Sequence, residues 1–167
     1  MVMKMMLATA VAMALRTLPI SALTGASRPL VSAPVDEMEM KPSPIEPSWI
    51  IEGEPQARSA EHSRSADEAA VTALWDCTAG TFRWYFHWDE TVVILEGEVH
   101  VTAQDGSVRL LRAGDIGYFS GRTWATWRVD EYVKKIAFVR KPFPGPLAAA
   151  YRLSNFLRAR NQKGFAG

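Results

Sequence analysis

The chain has a single cysteine, Cys77, among 167 residues. That excludes an intrachain disulfide and any zinc site built on paired thiolates. Histidine is nearly as scarce, with only His62, His87 and His100, so a metal held by several imidazoles would need almost all of them. There is no block of like charge. The 19 basic and 18 acidic residues are interspersed and sum to +1, which removes the basic footprint of a nucleic-acid binder. A membrane-spanning run is missing too, because the apolar stretch Met5–Leu15 falls short of the ~20 residues that cross a bilayer. What the chain has in quantity is aromatic side chains, with six tryptophans and seven phenylalanines, a large load for one small core.

Composition divides the chain. Met1–Leu23 is rich in Ala, Met and Leu. It suits the apolar part of a signal peptide, with Thr24-Gly25-Ala26 as a small-residue cleavage signal. It equally suits an amphipathic helix on Leu7, Val11, Leu15 and Leu18, or an extension from a misassigned start. The expected location is cytoplasmic, with membrane contact or export through residues 1–26 as the alternative. Residues 27–47 carry Pro29, Pro34, Pro42, Pro44 and Pro47 and read as an extended, unpaired linker. Trp49-Ile50-Ile51 reads as a short strand and polar Gln56–Ala69 as loop, so the barrel is expected over residues 48–141.

From Val71 the signals are strand-like. In "TFRWYFHW", Phe82, Trp84, Phe86 and Trp88 share one face, while Arg83, Tyr85 and His87 share the other. "TVVILEG" and "EVHVTA" meet at Gly97, and Asp105-Gly106 favours a hairpin turn. "SVRLLR", "IGYFS", "TWATWRV" and "YVKKIAFVR" complete the series. Short strands with turn signals every 8–12 residues or so predict an all-β antiparallel sandwich or barrel. Residues 142–167 open on Pro142, Pro144 and Pro146. A short helix should follow, presenting Leu147, Ala150, Tyr151, Ser154 and Leu157 to the barrel or to a second subunit, which leaves a homodimer open.

Glu90 spaced six residues from Gly97, together with Gly80 and "EVHVT", resembles the first motif of the cupin superfamily, and "AGDIGYFSG" resembles the second. With "LWDCTAGTFRWYF" and "WRVDEYVKKI", the pattern is similar to small single-domain cupins related to the ureidoglycine aminohydrolase cupin domain. The resemblance spans about Leu74 to Arg140 and implies a single jelly-roll β-barrel with an N-terminal extension and a C-terminal helix. Metal-dependent members hold a divalent transition metal with a glutamate and two histidines from the first motif and a histidine from the second. Here the glutamate falls on Glu90. The histidine positions fall on Arg83 and Tyr85, or on Trp84 and Phe86, and the last near Trp124 or Ala125. None is a histidine, and His87 lies out of register, so Glu90 and His87 are the sole weak metal candidates and no cofactor is expected.

A small-molecule binding module without the usual metal is therefore the expected function. Its pocket would draw on Trp84, Tyr85, Phe86, Glu90, Tyr118 and Trp124. The alternative implied by the resemblance is an enzyme acting on a ureido or related nitrogen-rich compound. Glu90 would then be the catalytic acid/base, with Tyr85 or His87 orienting the substrate. Which face of the "TFRWYFHW" strand lines the interior stays open, since both carry bulky groups. Lys134 and Lys135, being adjacent, must point to opposite faces, one to solvent and one toward the barrel mouth.

Overall fold

The computed structural model describes residues 29–163, so the segment 1–26 discussed above lies outside them. Eight strands run in the order β1 (Lys41–Pro42), β2 (Ile50–Glu52), β3 (Ala57–Arg64), β4 (Ala70–Phe86), β5 (Asp89–Ala103), β6 (Val108–Arg112), β7 (Ile116–Phe119) and β8 (Thr123–Arg140), followed by α1 (Gly145–Lys163). All pairings are antiparallel, in the spatial order β1-β3-β4-β8-β5-β6, with β2 also on β4 and β7 also on β5. The all-β fold is present, carried by three strands of 15 residues or more (β4, β5 and β8) that curl around one core.

Two irregularities bend these long strands and set which residues face inward. In β4 the core-cluster residues are Trp75 and Cys77 before Gly80, then Phe82 and Phe86 after it, while Leu74 and Asp76 are buried on the opposite face. The pairing to β8 shifts between Thr78 and Gly80, and one added residue exchanges the two faces of a strand. In β5, Glu90, Val92 and Ile94 face inward before Gly97, and Val99 and Val101 after it. Gly97 has φ +71°, and a Cβ there would stand 1.9 Å from the Tyr132 carbonyl oxygen. Only glycine permits that approach. In β8 the buried series Ala125, Trp127, Val129, Val133, Lys135 and Ala137 keeps one parity throughout.

Three expectations need correction. Gln56–Ala69 is not a loop: β3 pairs with β4 from Ala57↔Cys77 to Arg64↔Val71. Its polar residues lie near the sheet edge, so backbone pairing rather than an apolar face holds it, and hydrophobic alternation carries no signal of that. The proline-rich segment is not a free linker. Lys41 and Pro42 pair with β3, the Ser43 N–H donates to the Ala57 carbonyl, and Ile45 is buried in the core. Finally, α1 does not bury the expected stripe, because Leu147 and Tyr151 are each 54% exposed. Among the described residues no helix is long and apolar enough to cross a membrane.

Candidate functional site

The face of β4 left open by the sequence is decided by burial. Phe82 and Phe86 are buried and Trp84 packs against the same cluster, while Arg83 and His87 are exposed and Tyr85 is half-buried on the opposite face. The inner wall is a set of interlocked rings. Phe86 stacks on Phe119 with centroids 4.3 Å apart and planes at 6°, and Trp75 meets Phe82, Trp84 and Trp127 edge to face at 6.0 to 6.4 Å. Edge-to-face and offset packing of this kind suits the ring quadrupoles and adds to the burial energy.

Glu90 lies inside this wall, at the start of β5 between Phe119 of β7 and Val139 of β8. Its partner is Lys135, whose Nζ donates to Oε1 at 2.6 Å with both residues buried. The same ammonium stands 4.7 Å from the Trp127 ring centroid and 5.1 Å from that of Trp75, positions in which the ring faces attract a cation. A buried carboxylate is thus matched by one buried ammonium, a pair that keeps the interior neutral. The indole nitrogens of both tryptophans are buried and find no acceptor among the protein's own atoms. Of the two adjacent lysines, Lys134 turns outward to Asp36 at 3.4 Å. Lys135 goes past the expected barrel mouth and into the core.

The inner face settles which carry-over positions matter. Trp84, Phe86 and Ala125 face inward, and Arg83, Tyr85 and Trp124 do not. None of the inward three offers a lone pair suited to a metal. Cys77 is also inward and fully buried, but burial, with the charge of Asp76 adding to it, pushes its thiol up to about 12, which keeps it protonated and a poor ligand. Glu90 already spends one oxygen on Lys135. The inner donor set does not fit the glutamate-and-histidine metal site that the cupin resemblance implies. The described residues bring three metal-capable side chains together only at Glu98, His100 and Asp130, outside the barrel, where Arg112 holds Glu98 and Arg128 holds Asp130.

The predicted pocket residues do not converge. Trp84, Phe86 and Glu90 belong to the interior. Tyr85, His87 and Trp124 cluster outside it, with Tyr85 5.0 Å from Trp124 and 4.8 Å from His87 between ring centroids, and Arg83 4.4 Å above the Trp124 ring. Tyr118 is 63% exposed and shares with Trp124 a surface cavity of about 490 Å³. Glu90 therefore has neither Tyr85 nor His87 on its side of β4, and the expected grouping of acid/base and orienting residue is not assembled. Sequence reasoning missed Trp75 and left open which of Lys134 and Lys135 turns toward the barrel. A charged residue inside an apolar alternation was the available signal.

A second buried charge lies on the other side of β4. Asp76 accepts from Arg58 Nε at 3.1 Å and Nη2 at 2.5 Å and from the Tyr132 hydroxyl at 3.0 Å. Burial, then the hydrogen bond to Asp76, pushes the Tyr132 hydroxyl up to about 12. This cluster ties β3, β4 and β8 together and reaches no cavity with Glu90.

Residues 64–137 match the model of the EutQ-like cupin domain. The barrel has the cupin-type fold. Among solved structures, this chain is similar to a protein of unknown function from Pseudomonas syringae, at 25% identity and TM-score 0.57. The match covers 62% of this chain but 45% of that protein, so the chain spans less than half of it. An iron(II)-bound HppE enzyme shares the fold at 14% identity and TM-score 0.54, over 70% of this chain and 63% of its own. The EutQ protein of Clostridium difficile aligns at 15% identity and TM-score 0.46, over 52% and 63%. No protein of curated function matches the sequence significantly.

Proposed function

We propose that this cupin is a metal-independent small-molecule binding module, in which the Lys135 ammonium takes the place of a bound cation beside Glu90. The observation that carries the reading is the 2.6 Å contact between Lys135 Nζ and Glu90 Oε1 within the aromatic wall. An ammonium at that distance satisfies the charge a divalent ion would otherwise neutralise, and it repels a second cation. Ligand binding is favoured over an inert scaffold by the two indole N–H groups beside Lys135 that have no acceptor. A buried donor left unpaired costs about 1–3 kcal/mol, which an oxygen of a bound molecule, or water, would recover. The ureido-hydrolysing alternative loses support, since its acid/base would be held in an ion pair and its orienting residues lie across the strand.

Titrating the purified protein with manganese, iron(II), nickel and zinc, with metal content measured in parallel, tests the reading. No stoichiometric binding that depends on Glu90 is expected. Tight one-to-one binding abolished by Glu90→Ala would overturn it. Ammonia release from ureidoglycine above that of a Glu90→Gln variant would instead favour the enzyme.

A further inference from the structure

A cleft of about 620 Å³ lies outside the interior, between the barrel rim and α1. Three guanidinium groups line it: Arg122 from the turn before β8, Arg140 from the end of β8 and Arg152 from α1. None of the three forms an ion pair with a described carboxylate. The one acid in the cleft, Asp89, gives its Oδ1 to the Gly121 N–H at 2.9 Å. Three arginines against one acid leave the cleft with an excess of positive charge, and an anion filling the space between them is stabilised there.

Two further features fit that reading. Arg122 has φ +65°, a backbone conformation that costs a residue with a Cβ, and such outliers cluster where a side chain must be aimed. The turn is held by the Arg122 N–H donating to the Phe86 carbonyl at 2.5 Å and by the Thr123 hydroxyl donating to the Ser120 carbonyl at 2.7 Å. The second feature is the orientation of α1. It lines the cleft with Ala148, Arg152 and Asn155 and leaves Leu147, Leu153 and Phe156 exposed. A helix docked only to bury apolar surface would present the opposite side. Its first residue, Gly145, also lines the cleft, so the positive end of the helix dipole adds to the field. Phe143 and Tyr151, 5.7 Å apart between centroids, supply an aromatic wall.

We infer that this cleft binds a small organic oxyanion, with its phosphate or carboxylate held by Arg122, Arg140 and Arg152 and its apolar part set against Phe143 and Tyr151. The inference goes beyond the binding-module reading, since the cleft shares no lining residue with the Glu90–Lys135 pair and does not depend on it. Calorimetric titration of the full chain with phenyl phosphate, benzoate and inorganic phosphate tests it, with phenol as the neutral control. Saturable one-to-one binding of an oxyanion is expected, weakened by added salt and by about tenfold in each of Arg140→Gln and Arg152→Gln. The relative affinities of phenyl phosphate and benzoate identify the head group. The unliganded melting temperature of both variants should stay within about 2 °C of the wild-type value, since neither arginine is ion-paired and the contacts of Arg140 with the Phe143 ring and of Arg152 with the Ala148 carbonyl are long and exposed. Binding of no oxyanion, equal binding of phenol, or undiminished binding by both variants would overturn the proposal. Glu90-dependent metal binding in the same samples would sink the metal-independent reading and leave the cleft standing.

Discussion

Replacing Lys135 by methionine tests the reasoning about the interior most directly. Methionine keeps much of the aliphatic bulk and removes the ammonium, leaving Glu90 among Trp75, Trp127, Phe86 and Phe119 without its cation. Removing one partner of a buried pair costs about 3–5 kcal/mol. Glu90 retains 12% side-chain exposure, which places the effect toward the lower end, whereas loss of the ammonium above two indole rings adds about 1 kcal/mol. The sum is about 4 kcal/mol, or roughly 10–15 °C in melting temperature for a domain of this size. Urea unfolding followed by tryptophan fluorescence reads the change, since two of the six tryptophans flank the pair. The double variant Lys135→Met/Glu90→Gln should recover most of the loss, because a neutral pair of similar volume replaces the ions without leaving one unmatched. A deficit below about 1 kcal/mol in the single variant, or none recovered in the double, would refute the account of a charge-compensated core.

Other positions give sharper yes-or-no outcomes. Gly97→Ala drives a Cβ into the Tyr132 carbonyl and forces a left-handed φ. It should destabilise by more than about 3 kcal/mol or abolish soluble expression, whereas Gly106→Ala, with open space around it, should fold at a cost of about 1 kcal/mol. Cys77 should resist a thiol reagent at pH 8 and react only at the rate of unfolding, because it is buried and held protonated; rapid labelling of the native protein would contradict this. Its raised pKa also fixes a sign. Stability from Cys77 is full below about pH 9 and is lost as pH rises toward 12, since between those values the folded state holds the proton that the unfolded state releases. Alkaline unfolding should therefore begin later in Cys77→Ala relative to its own neutral-pH stability. Asp76→Asn weakens the anchor of Arg58 and Tyr132 and should cost about 2 kcal/mol, seen as a lower urea midpoint.

The strands from Val71 onward, the hairpin turn at Gly106 and the helix after the prolines were legible in the sequence because each rests on local chemistry. Alternation, glycine at positive φ and proline at a helix start act over a few residues. They indicated an antiparallel barrel, and the resemblance of the Glu90–Gly97 stretch and "AGDIGYFSG" to cupin motifs narrowed it to the cupin type. The absence of histidine from the first- and second-motif positions was likewise plain from residue types alone. What the chain by itself left open were the quantities that depend on partners distant in sequence. Strand β3 stayed hidden because it is held by backbone pairing to β4, and Ile45 because it joins a core cluster assembled mainly from β4, β5 and β8. The inward face of β4 depended on the register shift at Gly80, which exchanges faces partway along one strand. The pairing of Glu90 with Lys135 joins β5 to β8 across 45 positions, and the arginine cleft draws on a turn, a strand end and a helix. Composition determined that this barrel would be aromatic and poor in metal ligands. Only tertiary structure decided that a lysine neutralises its glutamate, because that depends on where two strands place their side chains after each has bent.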